Sequence, residues 1–486
     1  MTMERNSAPL FRPVDRTPIA PAFASAASMF LVTMDTLVVN LALPDIQSRF
    51  GAAMWEQQWI IDGYTIALAA LLLLAGNLTD RWGTQKAFAS GVAIFCLSSI
   101  LCALSTSSST LIFGRALMGA GAALILPSSM SIINQGYTAE HSRKVALAAW
   151  GIGGSAATAF GPVLGGCLVP ISWRLVFAIN IPPCLLLLLL CTRIVPRKNT
   201  DTPIDMEEQL LSLTGLTCIV GGIIALGTGD HVAPSIALVA SGLTIFSCFI
   251  RRQHISSAPS VPPDLVRNPG IRLSLLGGFI IILNWNGLVF LCTLYLQQVL
   301  NLSPLEAGMT FMYGAIASVI GNLGGERISV KFGAQRTLLL GSLCLIACHL
   351  LLLVAGIGFL SPLHIACAIC LSGLGGAITT PCLAETVLSH APSKESGIAS
   401  ALFNTMRQIG GAVGIAVFGS IVSTSPALQQ GLTRCFFISL AATCYFAWKV
   451  LRSRDVLDPA AEAEMGSSIL VRCERASIMR KFFHTR

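Results

Sequence analysis

Three ionisable residues stand inside long apolar stretches of this chain: Asp35 in MFLVTMDTLVVNLALP, Asp62 in WIIDGYTIALA and Arg115 in LIFGRALMGAGAA. If those stretches cross a bilayer, each charge is costly. A carboxylate near the bilayer centre is disfavoured by roughly 2.5–3.5 kcal/mol on insertion scales, so it is kept with a partner or for a task. The chemistry open to it is exchange: a carboxylate in a low-dielectric cavity resists ionisation unless a cation is near, so a proton and a cationic substrate compete for it. An arginine facing the same cavity raises the local potential and tunes the proton affinity of the carboxylate. The structural alternatives are a polar contact of Asp35 with Arg115 or with the amide of Asn40, solvation of Asp62 near the interface, and snorkelling of Arg115 to a surface roughly 10 Å away.

The elements that must hold these residues are membrane helices. Of the 486 residues 54% are hydrophobic and only 11% charged, whereas soluble domains carry about 25% charged residues. A helical span needs about 20 apolar residues, and fourteen such stretches follow one another near 20–43, 57–78, 86–105, 108–134, 143–168, 172–193, 208–228, 234–250, 271–296, 304–326, 336–356, 360–388, 396–423 and 432–450. The expected class is an all-α polytopic membrane protein. With the N-terminus placed in the cytoplasm, the inner segments hold most of the 31 Lys and Arg residues, and the outer ones keep Arg49, Arg174 and Arg434. That bias matches the cytoplasmic excess of basic residues in loops, which a missed helix would scramble. Both termini are therefore expected in the cytoplasm.

Several function classes fall away. The net charge of +8 sits mainly in the tail and inner loops, so it reads as topology and contact with anionic lipid, with no nucleic-acid partner. Residues 1–18 are polar and the first apolar run is too long for a cleavable signal. All but one of the 16 cysteines fall inside spans, Cys367 and Cys370 among them, where Cys is a small apolar packing residue. No phosphate-binding G-x-x-x-x-G-K-[ST] loop and no metal-ligand spacing of histidines occurs. The expected cofactor set is empty, with the proton as coupling ion. No catalytic constellation is present and the longest polar stretch, 451–486, is too short for a soluble domain. The chain is not expected to be an enzyme.

The sequence also repeats itself. GAGAALILP, from Gly119 to Pro127, has the Gly, Gly, Ala and Pro spacing of GLGGAITTP, from Gly373 to Pro381, and GNLTDRWGTQK (76–86) parallels ERISVKFGAQR (326–336). The two pairs lie 254 and 250 residues apart. Two six-span halves with two inserted helices follow, the organisation in which a substrate site lies near the midplane between repeats. The expected divisions are a tail 1–18, a bundle 19–200, linker helices 201–267, a second bundle 268–450 and a basic tail 451–486.

GNLTDRWGTQK resembles the loop signature of the major facilitator superfamily, LIFGRALMGAGAA its fourth-helix arginine motif, and WGIGGSAATAFGPVLGG (150–166) the fifth-helix motif of its drug antiporters. MDTLVVNLALP, WIIDGYTIALA and WRLVFAINIP look like its fourteen-span drug:proton antiporters. The resemblance implies the major facilitator fold in a 6 + 2 + 6 arrangement. It also implies a coupling set of Asp35, Asp62 and Arg115, and a gating segment of Gly76, Asp80, Arg81, Gly83 and Lys86, with Gly76 allowing a tight helix end. The second copy of that segment has Val330 where the first has Asp80. Gly153, Gly161, Pro162, Gly165 and Gly166 mark an antiporter helix with a small-residue packing face. Cavity candidates are Asn40, the mid-span Asn284, Trp285 and Asn286, whose indole suits a flat or cationic drug, and Arg407 with Gln408, which look like the family's polar penultimate span. The function implied is proton-coupled efflux of hydrophobic or cationic drugs across a bacterial inner membrane by alternating access. A dedicated exporter of a self-made antibiotic is the alternative, and a membrane enzyme or sensor the remote one. The partners implied are the lipid bilayer and the small-molecule substrate, with periplasmic or outer-membrane proteins left open.

Overall fold

The computed structural model describes residues 19–137, 139–192, 205–229, 232–256, 259–356, 361–392 and 395–457. The tail expected at 1–18 lies outside the described residues, as does the tail beyond 457. Before the insertion come α1 (Ile19–Phe50), α2 (Met54–Trp82), α3 (Thr84–Ala103), α4 (Ser108–Gly136), α5 (Glu140–Leu168), α6 (Leu175–Ala178) and α7 (Ile181–Cys191). The inserted pair is α8 (Met206–Leu226) and α9 (Val232–Ile255), followed by the short α10 (Pro263–Arg267). Then come α11 (Pro269–Leu294), which widens into a π turn over Tyr295–Val299, α12 (Pro304–Phe332), α13 (Ala334–Gly356), α14 (Pro362–His390), α15 (Ser396–Ser423), α16 (Leu428–Leu451) and the short α17 (Arg454–Leu457).

Twelve helices among the described residues are long and apolar enough to cross a membrane. The stretches expected at 172–193 and 304–326 are also helical, as the α6–α7 pair and as α12, but stand outside those twelve. Local signals place the ends. Ser303 caps α12 in a box with Glu306, and Asn268 accepts from the amides of Gly270 and Ile271 at the start of α11, with proline at the first helical position in both. The end that departs furthest from expectation is that of α1, which continues through Pro44 to Phe50, and α12 likewise runs on to Phe332. The proline removes one donor without stopping a helix already supported on both sides.

The duplication is visible in the packing. In the first half α1 lies on α5 and α2 on α4, and in the second α11 lies on α15 and α12 on α14. The corner between α2 and α3 is the single residue Gly83 at φ +86°, and the corner between α12 and α13 is Gly333 at φ +85°. A side chain at that φ would be strained, so both copies need glycine there. GNLTDRWGTQK is therefore the last turns of α2, a one-residue corner and the start of α3. Gly76 lies inside α2, and the helix end falls at Trp82 instead.

The halves meet along two seams, α5 against α12 and α2 against α15. Contacts between them cluster at the end of the bundle where α1 turns into α2. Gln58 donates to the carbonyls of Ile415 and Ala416, and Gln298 to Gln47 Oε1 at 2.9 Å. Gly166 and Leu305 come so close that a Cβ on Gly166 would sit 2.6 Å from the Leu305 Cα. That end, called distal below, is shut.

The inserted α8 and α9 pack on each other, and α8 leans on both α2 and α15 through Leu216, Val220 and Ile224. Asp205 ties their base, accepting from the amides of Glu207 and Glu208 and pairing with Arg252 at 2.8 Å. Desolvation opposes ionisation of Asp205, but the Arg252 and amide hydrogen bonds outweigh it and hold the carboxyl below its usual range.

Candidate functional site

Asp35 lies halfway along α1 and is completely buried. Its Oδ2 accepts from Arg115 Nη1 at 2.5 Å, with both side chains fully out of solvent. Its Oδ1 accepts from Asn180 Nδ2 at 3.0 Å. Asn180 stands in the two-residue turn between α6 and α7 without capping α7, and its amide also donates to Ser99 Oγ, which in turn donates to the Phe177 carbonyl. Arg115 is held from three sides. Its Nε donates to the Ile60 carbonyl at 2.9 Å, and its guanidinium lies 4.4 Å from the centroid of the Tyr64 ring, whose hydroxyl donates to the Val32 carbonyl. Arg115 Nη2 is buried with no hydrogen-bond partner.

Such an ion pair is closed by protein on every side. Taking two charges out of water costs several kcal/mol each, and only good geometry with further hydrogen bonds offsets it. Here Ile60, Tyr64 and Asn180 supply part of that. Arg115 therefore does not snorkel, and the amide that meets Asp35 is Asn180 rather than Asn40. Neither Asn180 nor Ser99 is singled out by the sequence. The only signal for Asn180 is an amide within the apolar WRLVFAINIP.

Asp62 is likewise fully buried rather than solvated. It shares the face of α2 with Gln58 and Ile66, which pack on α15, so it is turned to the seam between halves and away from Asp35. Thr65 Oγ1 lies 3.3 Å from Asp62 Oδ1, and Oδ2 has no hydrogen-bond partner.

Between the halves a small cavity of about 10 Å³, room for about one water, is lined by Leu37, Asn40, Thr158, Pro162, Trp285 and Phe311, among others. Asn40 donates to the Thr36 carbonyl while its own buried Oδ1 stays unpartnered. The three neighbours on α11 diverge. Trp285 faces the cavity, Asn286 Nδ2 touches α15 at Gly411, and Asn284 turns outward to donate to Thr443 Oγ1 at 3.0 Å. Asn284 is therefore a contact within the second half and no part of the cavity wall. Arg407 on α15 donates to Asn404 Oδ1 at 3.2 Å and lies 5.8 Å from the Phe403 ring centroid, and Gln408 follows it, half-buried.

The glycines of α5 serve close packing. Gly153, Gly161 and Gly165 lie on α1, and Gly166 crosses to α12. Pro162 lies in the cavity wall, and its carbonyl is where a Cβ on Gly308 of α12 would collide. Asp80, Arg81 and Lys86 are exposed around the Gly83 corner, and Val330 is 84% exposed at the matching place on α12.

Membrane-length helices in two related halves, closed at one end, with a small cavity between the halves and a buried ion pair inside the first of them, define a transporter of the two-repeat class. The chain belongs to the Major Facilitator Superfamily, whose family model matches residues 25–415. It is 32% identical over 399 residues to the multidrug efflux pump LfrA of Mycolicibacterium smegmatis, covering 82% of this chain and 79% of that one. It is 29% identical over 447 residues to a methylenomycin A resistance protein of Bacillus subtilis, covering 90% and 95%. The fold matches the crystal structure of the peptide transporter POT in complex with sulfate at a TM-score of 0.70 with 16% identity, over 92% of this chain and 97% of that one.

Proposed function

We propose that the protein exports hydrophobic small molecules, drugs or antibiotics among them, across a bacterial cytoplasmic membrane by alternating access, in exchange for protons. In this reading α6–α7 and α12 complete fourteen spans, both termini are cytoplasmic and the shut distal end faces outward. The observation that carries it is the Asp35–Arg115 pair, buried halfway along α1 with an amide on its second oxygen. A carboxylate so placed exchanges its arginine for a proton when the helices around it shift, which ties protonation to the state of the bundle. Similarity to efflux and resistance proteins supports export as the direction. Accumulation of a panel of dyes and drugs in cells with and without the protein tests it: equal accumulation of every compound would remove the reading.

The energy source is tested separately. Export into energised inverted vesicles should collapse with a protonophore and persist without ATP once respiration supplies the gradient, and a requirement for ATP under an intact gradient would overturn the proton coupling.

Asp62 carries a prediction about substrate charge. One proton exchanged for one monovalent cation moves no net charge, whereas each further proton adds about 2.3 kcal/mol per 100 mV of membrane potential. Dications need those extra protons, and a second buried carboxylate supplies a place for one. Asp62→Asn should weaken export of dicationic compounds about tenfold more than that of neutral ones, read as separate efflux rates. Equal loss for every charge class would make Asp62 a structural residue.

A further inference from the structure

Two arginines stand inside the helices of this bundle, Arg115 fully buried and Arg407 half-buried, and they are treated differently. Arg115 has a carboxylate of its own, Asp35. Arg407 appears in no ion pair among the described residues, holds a hydrogen bond to the Asn404 amide oxygen, and has a buried Nε with no partner. A guanidinium carries five N–H donors in a flat fork, and of these the one on Nε is buried without an acceptor.

The contacts of α15 fix where it faces. Gly410 and Gly414 lie on Phe279 and Leu283 of α11, while Gly419 and Ala412 lie on the α2 side, against Gln58 and the α2–α8 cluster. At about 100° per residue, the sector between those contacts holds Asn404, Gln408 and Gly411, with Arg407 at its α11 edge. Gly411 is touched there by Asn286, the neighbour of the cavity residue Trp285. The sector lies opposite the side of α15 that packs on α8 and so faces inward between the halves, and the cavity wall itself holds no α15 residue. Opposite Arg407, α11 offers no side chain: the Arg407 Cγ lies 3.1 Å from where a Cβ on Gly278 would be. From α2 the charged group nearest in register is Asp62, about one turn farther toward the distal end, given that Gln58 meets Ile415 and Ala416 on an antiparallel neighbour. Asp62 bonds to Thr65 and not to Arg407.

We propose that Arg407 binds an anionic group of the transported molecule, a carboxylate or equivalent oxyanion, so that the cargo completes in the second half the charge pair that Asp35 completes in the first. This rests on the exporter reading for the route of the cargo, and it changes the expected substrates from hydrophobic or cationic molecules to ones that also carry a negative charge. Guanidinium and carboxylate match fork to fork, and in a water-poor site such a pair discriminates strongly against an uncharged isostere.

The test uses the full-length protein in nanodiscs, with no gradient, and two probes: a fluorescent aromatic carboxylate and its methyl ester. The carboxylate should bind about 10- to 100-fold more tightly than the ester. Arg407→Gln should remove that preference while ester binding persists, which also reports that the variant is folded. Arg407→Lys should keep part of the preference, because it keeps the charge and loses the fork. Equal affinity for the two probes in the unaltered protein overturns the proposal without recourse to any variant, and so does an Arg407→Gln protein that weakens both probes alike. A preference that appears only in Asp62→Asn would assign Arg407 to Asp62 as an internal partner, and the proposal falls. Failure of export with the preference intact strikes the exporter reading alone.

Discussion

Asp35→Asn should bring proton-driven efflux down to that of cells lacking the protein, while the chain still inserts and folds. The amide keeps the shape of the carboxyl and can still accept from Arg115, but it cannot titrate. Removing one partner of a buried ion pair commonly costs about 3–5 kcal/mol. Here the loss should fall at or below the low end, because the Ile60 carbonyl and the Tyr64 ring continue to hold the guanidinium. Asp35→Glu restores the charge with one extra methylene in a filled site, and should retain a fraction of the transport. Two measurements decide the point: thermal stability in detergent and efflux of a fluorescent substrate. An Asp35→Asn protein that still pumps against a gradient would move the coupling elsewhere, with Asp62 next in line.

Gly308→Val should prevent the distal end from shutting. A Cβ at that position collides with the Pro162 carbonyl, a backbone atom that cannot swing aside as a side chain would. The second contact nearby, Gly166 on Leu305, leaves no slack for the two helices to slide. Branched bulk therefore favours the state in which α5 and α12 part at that end. Spin labels at positions 47 and 298, in a background cleared of native cysteines, report it directly, since Gln47 and Gln298 are hydrogen-bonded in the shut form. The ratio of short- to long-distance populations should fall about tenfold, equivalent to about 1.4 kcal/mol against the shut state, and transport should fall with it. An unchanged distance distribution would show that the seam yields without opening.

Much of this was legible in the chain. Apolar length located the helices, often within two residues of their ends, and Asp35 and Arg115 drew attention because a charge in such a run has few explanations. What the sequence withheld was rotation. Asn284 and Asn286 are two residues apart and differ by about 200° around α11. One bonds to Thr443 and the other reaches α15, and helices apolar on every side carry no stripe from which to tell them apart. Asp62 shares its helix with Tyr64 yet faces the opposite way, toward α15. Asn180 meets Asp35 at the junction of α6 and α7, and one amide in an apolar run does not announce which helix it will face. The 76–86 motif looked like a loop because charges and glycine are loop residues, and it is mostly helix because the turn needs only Gly83.

The inserted helices have a consequence for how lipid meets this machine. When two bundles rock apart, each seam between them becomes a slit open to the acyl chains of the bilayer. The α2–α15 seam is roofed by α8, sealed with Ile66, Ala69, Ala412 and Ala416 beneath it and further tied by Ser420 Oγ donating to the Ile223 carbonyl. No inserted pair covers α5 and α12 among the described residues. Under the proposed alternating access, a greasy molecule dissolved in the membrane would meet a gasket on one flank, and the seam left to open sideways would be that of α5 and α12, beside Pro162.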